Sequence, residues 1–293
     1  MGAAKYHEAA DGWPARIARS WTQEKLMVLE AYLPRFAQAC SRKARGWWAI
    51  DGFAGAGLNW SDVQQAEIHG SALLLCEAGP PRYPAAERVL LCEQHDELRA
   101  ALEERTRPYG DRAQVSAGDI NEEIHQLLER VPRRAPTFAF LDPEGADVAW
   151  STVRALADHK RNHHRFKIEQ LILFPTDTGF MRLLSRDQLS AEGAGRVRRM
   201  MPDGRFRQVW ADRGSGRISP AVARARYVEI YEGGLRELGY ETVLSRAIRR
   251  GEDNRIMYYL VFATDNQAGK NIMQSVFSQV HMRVAEQLGQ LSF

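Results

Sequence analysis

Short apolar runs alternate with helical patterns through the first 175 residues, and this alternation constrains the fold more than any other feature. Five runs predict buried strands, over residues 47–51, 88–93, 113–117, 137–141 and 168–174. Helical patterns separate the last four of them, over residues 94–107, 121–130 and 148–159. Strands joined by helices form βαβ units, and right-handed crossovers cover both faces of the resulting sheet. The sequence therefore predicts an α/β fold with a Rossmann-like, doubly wound parallel sheet.

The two ends of the chain carry other patterns. Residues 1–20 show no strong periodicity and are predicted to be a flexible N-terminus, followed by a helix that Ser20 or Thr22 caps. Near the other end we predict a helix over 220–238, an antiparallel hairpin of strands 241–248 and 256–263, and a helix over 269–286. Residues 189–218 hold Gly, Arg and Asp with little periodicity and are predicted to be a basic insertion or long loop. One domain over residues 21–293 accounts for these elements.

Charge and composition indicate an ordinary globular protein. The 293 residues hold 40 Lys plus Arg against 37 Asp plus Glu, so the net charge of +3 excludes a purely electrostatic, histone-like binder. Of the basic residues, 34 are Arg and 6 are Lys. Arg is the better bidentate partner for phosphate and also stacks on bases. The bias is compatible with nucleic-acid contact, and equally with a GC-rich genome.

The cysteines and the hydropathy pattern bear on the compartment. Cys40, Cys76 and Cys92 have no metal-ligand spacing, and a sparse, odd set is not typical of a disulfide scaffold. We interpret each as a small core residue. The sequence shows neither a long apolar run nor the apolar segment of a signal peptide. These features predict a soluble, cytoplasmic protein without a membrane span.

Four acidic residues stand where predicted parallel strands end: Asp51, Glu93, Asp119 and Asp142. Ligands of such sheets bind outside the carboxyl ends of the strands, so the four side chains are expected at one crevice. A Gly-rich turn, Gly52–Gly57, follows Asp51 and lets the backbone approach a ligand closely. Glu93 is placed to hold ribose hydroxyls, and Asp119 to meet an adenine amine. An acid after a strand is also a common helix N-cap, but the joint order favours a nucleoside-type ligand.

Several motifs resemble those of S-adenosylmethionine-dependent methyltransferases. The turn resembles their motif I, and Asp142-Pro143 resembles the start of the Asp-Pro-Pro-Tyr motif IV of enzymes that methylate adenine amines. His69-Gly70-Ser71 is similar to a step after motif I in the large-subunit ribosomal RNA adenine methyltransferase. A wider set resembles the three-Cys-motif partner family, TcmP: Trp21, Lys25-Leu26, Tyr32-Leu33, Asp51–Gly57, Gly70-Ser71, Glu93, Gly118–Asn121, Leu141–Gly145, Phe174-Pro175, Arg182 and Tyr258–Ala263.

The resemblance implies a class I methyltransferase-like fold with S-adenosylmethionine as cofactor. It implies the following cofactor-binding residues: Lys25, Asp51, Phe53, Ala54, Gly55, Gly57, Glu93, Asp119 and Ile120. It implies Asp142, Pro143 and Glu144 as catalytic residues, acting on an adenine-type amine of a nucleic acid. Two alternatives stay open. One is a non-catalytic scaffold that partners a radical-SAM-like protein with three cysteines; the other is an Mg²⁺-dependent nucleotide-processing enzyme using Asp119, Asp142 and Glu144.

Motif IV departs from the family pattern. Glu144 and Gly145 replace the second Pro and the aromatic residue that normally stacks on a flipped base. Phe53, Trp60, Phe174 or Phe180 are candidates to compensate for the missing ring. Glu144 fits an acid or base as well as a solvated turn residue, and Asp142 fits a turn that caps the next helix as well as catalysis.

Basic residues suggest a second surface. Arg182 matches the family pattern after the fifth strand, and the predicted insertion adds Arg196, Arg198, Arg199, Arg205 and Arg207, interleaved with Phe206 and Trp210. Guanidinium groups for phosphate and rings for stacking are typical of nucleic-acid binding. Exposed Arg runs also occur as solvated helix faces. The cluster His159–Arg165 is interpreted as cations at a helix C-terminus rather than a metal site.

Overall fold

The computed structural model describes residues 5–42, 46–163, 165–176, 191–250 and 253–287. Its strands are β1 (Tyr6–Glu8), β2 (Pro14–Ala18), β3 (Trp48–Asp51), β4 (Leu58–Ser61), β5 (Ala66–His69), β6 (Arg88–Glu93), β7 (Ala113–Ala117), β8 (Thr137–Leu141), β9 (Glu169–Pro175), β10 (Thr242–Arg249) and β11 (Ile256–Thr264). Its helices are α1 (Ser20–Ser41), α2 (Ser71–Glu77), α3 (Asp96–Thr106), α4 (Ile120–Arg130), α5 (Trp150–Asp158), α6 (Ala191–Met200), α7 (Phe206–Gly214), α8 (Pro220–Glu237) and α9 (Gln267–Gln287). A 3₁₀ helix, Arg107–Arg112, follows α3.

The main sheet has seven strands in the order β10-β11-β9-β8-β3-β6-β7. The five strands predicted in the first half are mutually parallel. β11 runs antiparallel to β9 and pairs with β10 as the predicted C-terminal hairpin. The doubly wound sheet is therefore confirmed, and the ends of its strands differ from the predicted ones by at most one residue.

Alternating side chains of the central strands build a core on each face of this sheet. In β8, Phe138 and Phe140 pack on the face covered by α1, α2 and α9. Ala139 and Leu141 point to the opposite face, covered by α4, α5, α6 and α8. Every residue of β8 is buried, as expected of a parallel strand between two helical layers.

The N-terminal segment is ordered, contrary to the prediction of a flexible terminus. β1 and β2 form an antiparallel pair, and β2 continues through β4 to β5 in a second, four-stranded sheet. Arg105, whose side chain is 5% exposed, holds this segment. Its guanidinium donates to Asp11, to the Pro14 carbonyl and to the Ala56 carbonyl of the Gly-rich turn. The prediction failed because these strands are too short to show a period, and β2 pairs with residues 43 positions away. Residues 1–4 lie outside the described residues.

The basic segment is helical, which corrects the prediction of a long loop; that it is an insertion stays a prediction. Residues 191–200 and 206–214 form α6 and α7. Val197, Met200 and Val209 are buried against α5 and α8 and anchor both helices. These few apolar residues lie among many arginines, so the helical period is weak in the sequence.

Other predictions concern cysteines and membrane contact. Cys40, Cys76 and Cys92 are buried and unpaired in disulfides, which confirms them as core residues. Burial raises the pKa of each thiol to about 12. Within the described part of the chain, no helix combines the length and apolarity that crossing a bilayer requires.

Candidate functional site

The carboxyl ends of β3, β6, β7 and β8 surround a crevice of about 140 Å³. The strand order reverses between β3 and β8, which is where ligands of open α/β sheets bind. Predicted residues in its lining are Phe53, Gly55, Glu93, Asp119, Ile120, Asp142 and Glu144. Lys25, Asp51, Ala54, Gly57 and Pro143 do not line it. Three of the four predicted strand-end acids, Glu93, Asp119 and Asp142, therefore line one crevice. The fourth, Asp51, is buried and does not line it.

The Gly-rich turn needs glycine for two different reasons. Gly55 and Gly57 have φ of +59° and +83°, a region that side chains disfavour. Gly52 is needed for space, because a Cβ there would lie 2.7 Å from Leu141 Cδ2 and 3.0 Å from Ile120 Cγ1. The turn therefore packs directly on β8 and α4. A Cβ at Gly55 would meet nothing within 4 Å, so this backbone faces open space in the crevice.

Asp51 is the most unusual carboxylate of the site. It is 0% exposed, and its Oδ1 accepts the backbone N–H of Phe53 at 3.1 Å. Its Oδ2 has no hydrogen-bond partner within the described residues. Burial raises its pKa to about 7; the Ser71 hydroxyl and Phe53 N–H oppose this shift, and the charges of Asp142 and Glu93 add to it. A buried polar atom without a partner is costly, and functional sites are where such costs commonly occur.

Glu93 connects the Gly-rich turn to the next loop. Its carboxylate accepts the backbone N–H of Gly55 at 2.9 Å and that of His95 at 2.8 Å. Each oxygen is used once, and a carboxylate offers about four lone-pair positions. Glu93 therefore keeps acceptor capacity toward the crevice that it lines.

Asp119 is the N-cap of α4. Its Oδ1 accepts the backbone N–H of Asn121 at 2.9 Å and the Asn121 amide at 2.8 Å. Asn121 in turn bonds the Asp147 carbonyl and the Ala149 N–H. The capping interpretation of Asp119 is therefore confirmed, and the same residue also lines the crevice.

Asp142 forms an ion pair with Lys25, which reaches it from α1. Their side chains are only 13% and 11% exposed. Together with Pro143 they line a second cavity, of about 90 Å³, that adjoins the crevice and shares Arg16, Asp142 and Glu144 with it. Lys25 is thus neither a surface residue nor part of the crevice lining. It neutralises the motif IV carboxylate.

Glu144 pairs with the N-terminal segment. Lys5 Nζ lies 2.7 Å and Arg16 Nη1 3.2 Å from its carboxylate. Partial burial works against ionisation, but these two cations outweigh it and hold the pKa of Glu144 below its usual range. A permanently ionised carboxylate is a poor general acid and a weak base at neutral pH. The geometry favours an anchoring role for Glu144 over the predicted acid–base role.

The candidate replacements for the missing aromatic residue lie in different parts of the structure. Phe174 is fully buried, with its ring 5.0 Å from that of Tyr231, so it is a core residue of β9 and not a stacking surface. Trp60 stacks on His7 in the small sheet, Phe53 lines the crevice, and Phe180 lies outside the described residues.

Sequence reasoning missed four residues as direct contributors to these cavities: Tyr6, Arg16, Trp21 and Tyr258. Trp21 and Tyr258 both belong to the motifs that resemble TcmP, and Trp21 also precedes Lys25 by four positions and so shares its helix face.

The arginines predicted to bind nucleic acid do not form a single free patch. Arg196 pairs with Asp147 at 2.5 Å, and Arg205 with Asp203 and Glu237. The other three, Arg198, Arg199 and Arg207, are exposed and form no ion pair within the ranges that the structure describes. Arg182 lies outside those ranges. Phe206 is buried in the core, so it is not a stacking surface.

The structure supports no metal centre among the described residues. They contain no group of three His, Cys, Asp or Glu side chains that could hold an ion. Asp142 and Glu144 pair with cations instead. In the histidine cluster, the His159 ring contacts the Val131 carbonyl at 2.9 Å, and burial lowers its pKa. This geometry fits a structural role.

Comparisons with known proteins address the fold. No protein-family model and no curated protein matches the chain. Protein LPL1258 of Legionella pneumophila, from the family model DUF519, has a similar structure, with a TM-score of 0.52, 10% identity and coverage of 87% of this chain and 90% of its own. O-methyltransferase TomG of Streptomyces achromogenes, in complex with SAM, has a TM-score of 0.44 and 14% identity, over 86% of this chain and 83% of its own. TYW2 of M. jannaschii, in complex with AdoMet, has a TM-score of 0.39 and 11% identity, over 90% of this chain and 87% of its own. At such identities, the likeness to the Legionella protein shows a shared α/β fold alone.

Proposed function

We propose that this protein is an S-adenosylmethionine-dependent methyltransferase that acts on an amine of a nucleic-acid base. One observation carries the proposal. A glycine turn with open backbone, Glu93 with spare acceptor capacity, the Asp119-capped helix and the Asp142 carboxylate all face one crevice at the strand-order reversal. The resemblance of these motifs to TcmP and adenine methyltransferases supports the same reading.

The residues present fit the cofactor. The open backbone at Gly55 allows close approach of a ligand, and Glu93 can accept ribose hydroxyls. Asp119 and Ile120 line the part of the crevice that would receive adenine. S-adenosylmethionine, when bound, supplies an electrophilic methyl group on a positively charged sulfur. Negative charge in the crevice wall suits such a cation.

Asp142 and Pro143 would orient the acceptor. The Asp142 carboxylate and the Pro143 carbonyl accept N–H groups of the amine, which directs its nitrogen lone pair toward the crevice. Positioning and exclusion of water supply the rate gain. Lys25 holds the Asp142 carboxylate in place and balances its charge in a poorly hydrated position.

Calorimetric titration with S-adenosylmethionine and with S-adenosylhomocysteine tests the proposal. We expect micromolar binding to the wild type and at least tenfold weaker binding to Gly55→Ala, whose methyl group would enter the crevice. Gly110→Ala is the matched control, because Gly110 has a similar φ of +55° and equally open surroundings in the 3₁₀ helix. Absence of binding to the wild type up to millimolar ligand, or equal loss in both variants, contradicts the site assignment.

A non-catalytic scaffold is the second candidate. The specific observation in its favour is that both carboxylates of the altered motif IV are engaged by cations, Asp142 by Lys25 and Glu144 by Lys5 and Arg16. In that case the protein serves the three-Cys-motif radical-SAM-like partner that the TcmP resemblance implies. Cofactor binding without methyl transfer from radiolabelled S-adenosylmethionine to DNA, RNA or protein pools would favour the scaffold.

A further inference from the structure

The second cavity carries an aromatic residue beside the methyl-acceptor motif. Trp21, Thr22 and Lys25 line it from the first turns of α1, and Tyr258 lines it from β11. Asp142 and Pro143 also line it, and Asp142 is shared with the crevice. An acceptor held in this cavity therefore lies next to the oxygens proposed to orient its amine.

The contacts of Trp21 hold it between the core and one exposed cation. Its carbonyl accepts the Tyr258 hydroxyl, and its half-buried indole packs against the core. The guanidinium of exposed Arg19 lies over the ring, with its central carbon 5.6 Å from the ring centroid. A ring and a cation are the two groups that single-stranded nucleic acids engage, so a base stacks on the indole where the guanidinium leaves it to pair with a phosphate.

Gly145 cannot supply the ring that motif IV lacks, and among the described residues the nearest side chains at that position are charged. A Cβ at Gly145 would be closest to Asp147 Oδ2 and Arg196 Nη2, at 3.3 and 3.5 Å. The loop is therefore lined by charge where the related motif carries an aromatic residue. α1 brings an indole to the opposite side of the same Asp-Pro step.

We propose that Trp21 is the base-stacking residue of the acceptor site and binds an unpaired base of a single-stranded nucleic acid. This inference rests on the proposed function. The cavity of about 90 Å³ equals about three water volumes, so it admits the amine-bearing edge of a base while the ring stays at the mouth on Trp21.

The charges around the mouth favour a polymer over a free nucleoside. The Arg19 guanidinium lies over the Trp21 ring, and the Arg196 guanidinium lies next to the Gly145 loop. Arg198 and Arg199 continue from Arg196 along α6 as exposed cations. Several phosphates in succession can use these groups, whereas a nucleoside carries none.

Binding of fluorescein-labelled dA12 and rA12 at 50 mM salt, with S-adenosylhomocysteine present, tests the inference by fluorescence anisotropy. The variants are Trp21→Leu, which removes the aromatic face, and Trp21→Phe, which keeps it. Trp48→Leu is the control, because half-buried Trp48 is the first residue of β3 and lies at the amino end of that strand, away from the carboxyl ends that form the crevice. We expect Trp21→Leu to bind at least one oligomer about tenfold more weakly or worse, Trp21→Phe to stay within about threefold, and Trp48→Leu to match the wild type.

Calorimetric titration of every variant with S-adenosylmethionine separates the two proposals. Normal cofactor binding with unchanged oligomer affinity in Trp21→Leu overturns the role of Trp21, as does a wild type that binds neither oligomer. Loss of oligomer binding in Trp21→Leu, in a wild type that never binds the cofactor, refutes the methyltransferase and keeps the base site. If Trp21→Leu does not fold, photocrosslinking of the wild type to a 5-iodouridine oligomer decides: a crosslink at Trp21 supports the inference, and crosslinks only elsewhere overturn it.

Discussion

Replacing Asp51 with Asn should stabilise the protein at neutral and alkaline pH. Asp51 is fully buried below the Gly-rich turn, and one of its oxygens has no partner among the described residues. The Asn side chain has nearly the same shape and keeps an oxygen to accept the Phe53 N–H. The substitution therefore removes the buried charge while preserving the contact that shapes the turn.

The magnitude follows from the pKa of Asp51. Burial raises this pKa from 3.8 to about 7. Since a tenfold change in an ionisation equilibrium corresponds to about 1.36 kcal/mol, the ionised form of Asp51 costs the native state about 4 kcal/mol. The amide NH₂ of Asn must find a partner in the same place, which reduces the gain. We expect Asp51→Asn to raise the free energy of unfolding by about 2–4 kcal/mol at pH 8.

The pH dependence gives the prediction its sign. Below pH 3.8 the carboxyl is protonated in the native and unfolded states alike, so it contributes no difference. Between pH 3.8 and about 7 the unfolded chain releases the proton and the native state retains it, so wild-type stability falls as the pH rises. Above pH 7 the difference between variant and wild type becomes constant.

Urea denaturation, followed by circular dichroism at pH 5, 6, 7 and 8, measures this difference. Asp62→Asn is the control, because Asp62 is an exposed carboxylate on the loop after β4. A variant that is less stable than the wild type at pH 8, or a difference that does not change with pH, would refute the reasoning about Asp51.

Three further predictions concern other buried charges. Lys25→Met leaves Asp142 without its partner and should cost about 3 kcal/mol in urea unfolding, with recovery in the double variant Lys25→Met/Asp142→Leu. Arg105→Met removes the four hydrogen bonds that Arg105 donates to Asp11, Trp13 and Pro14, and should expose the N-terminal strands to limited trypsin cleavage that spares the main sheet. Burial raises the pKa of Glu169 to about 7, so Glu169→Gln should gain up to about 3 kcal/mol as the pH rises from 4.5 to 7, measured by thermal unfolding across that range.

The main sheet could be predicted because four of its five parallel strands, all but the edge strand β7, are runs buried at every position or at every position after the first. β8 and β9 are buried at every position, and such runs between helical patterns have few other interpretations. The small sheet gave no such signal. β1 has three residues in an exposed–intermediate–exposed pattern. Arg105 holds the N-terminal segment in place, and no local sequence pattern predicts that contact.

The candidate site was predictable in position but not in its pairings. The rule for parallel sheets places Glu93, Asp119 and Asp142 at one edge, where the structure has them. That Lys25 would meet Asp142 depends on how α1 packs across the sheet, and that Arg16 would meet Glu144 depends on the unpredicted β2. Contacts between elements distant in the chain follow from tertiary packing, which a single sequence does not reveal.

Arg105 has a practical consequence for work with this protein. One guanidinium joins the amino-terminal segment, through Asp11 and Pro14, to the Ala56 carbonyl in the turn that faces the crevice. Strain applied at residue 5, for example by a fused affinity tag, reaches the crevice by two routes: through Arg105, and through the ion pair of Lys5 with Glu144, which lines the crevice. Tags belong at the carboxyl end, and an amino-terminal fusion that lowers ligand affinity would report this mechanical coupling rather than a damaged fold.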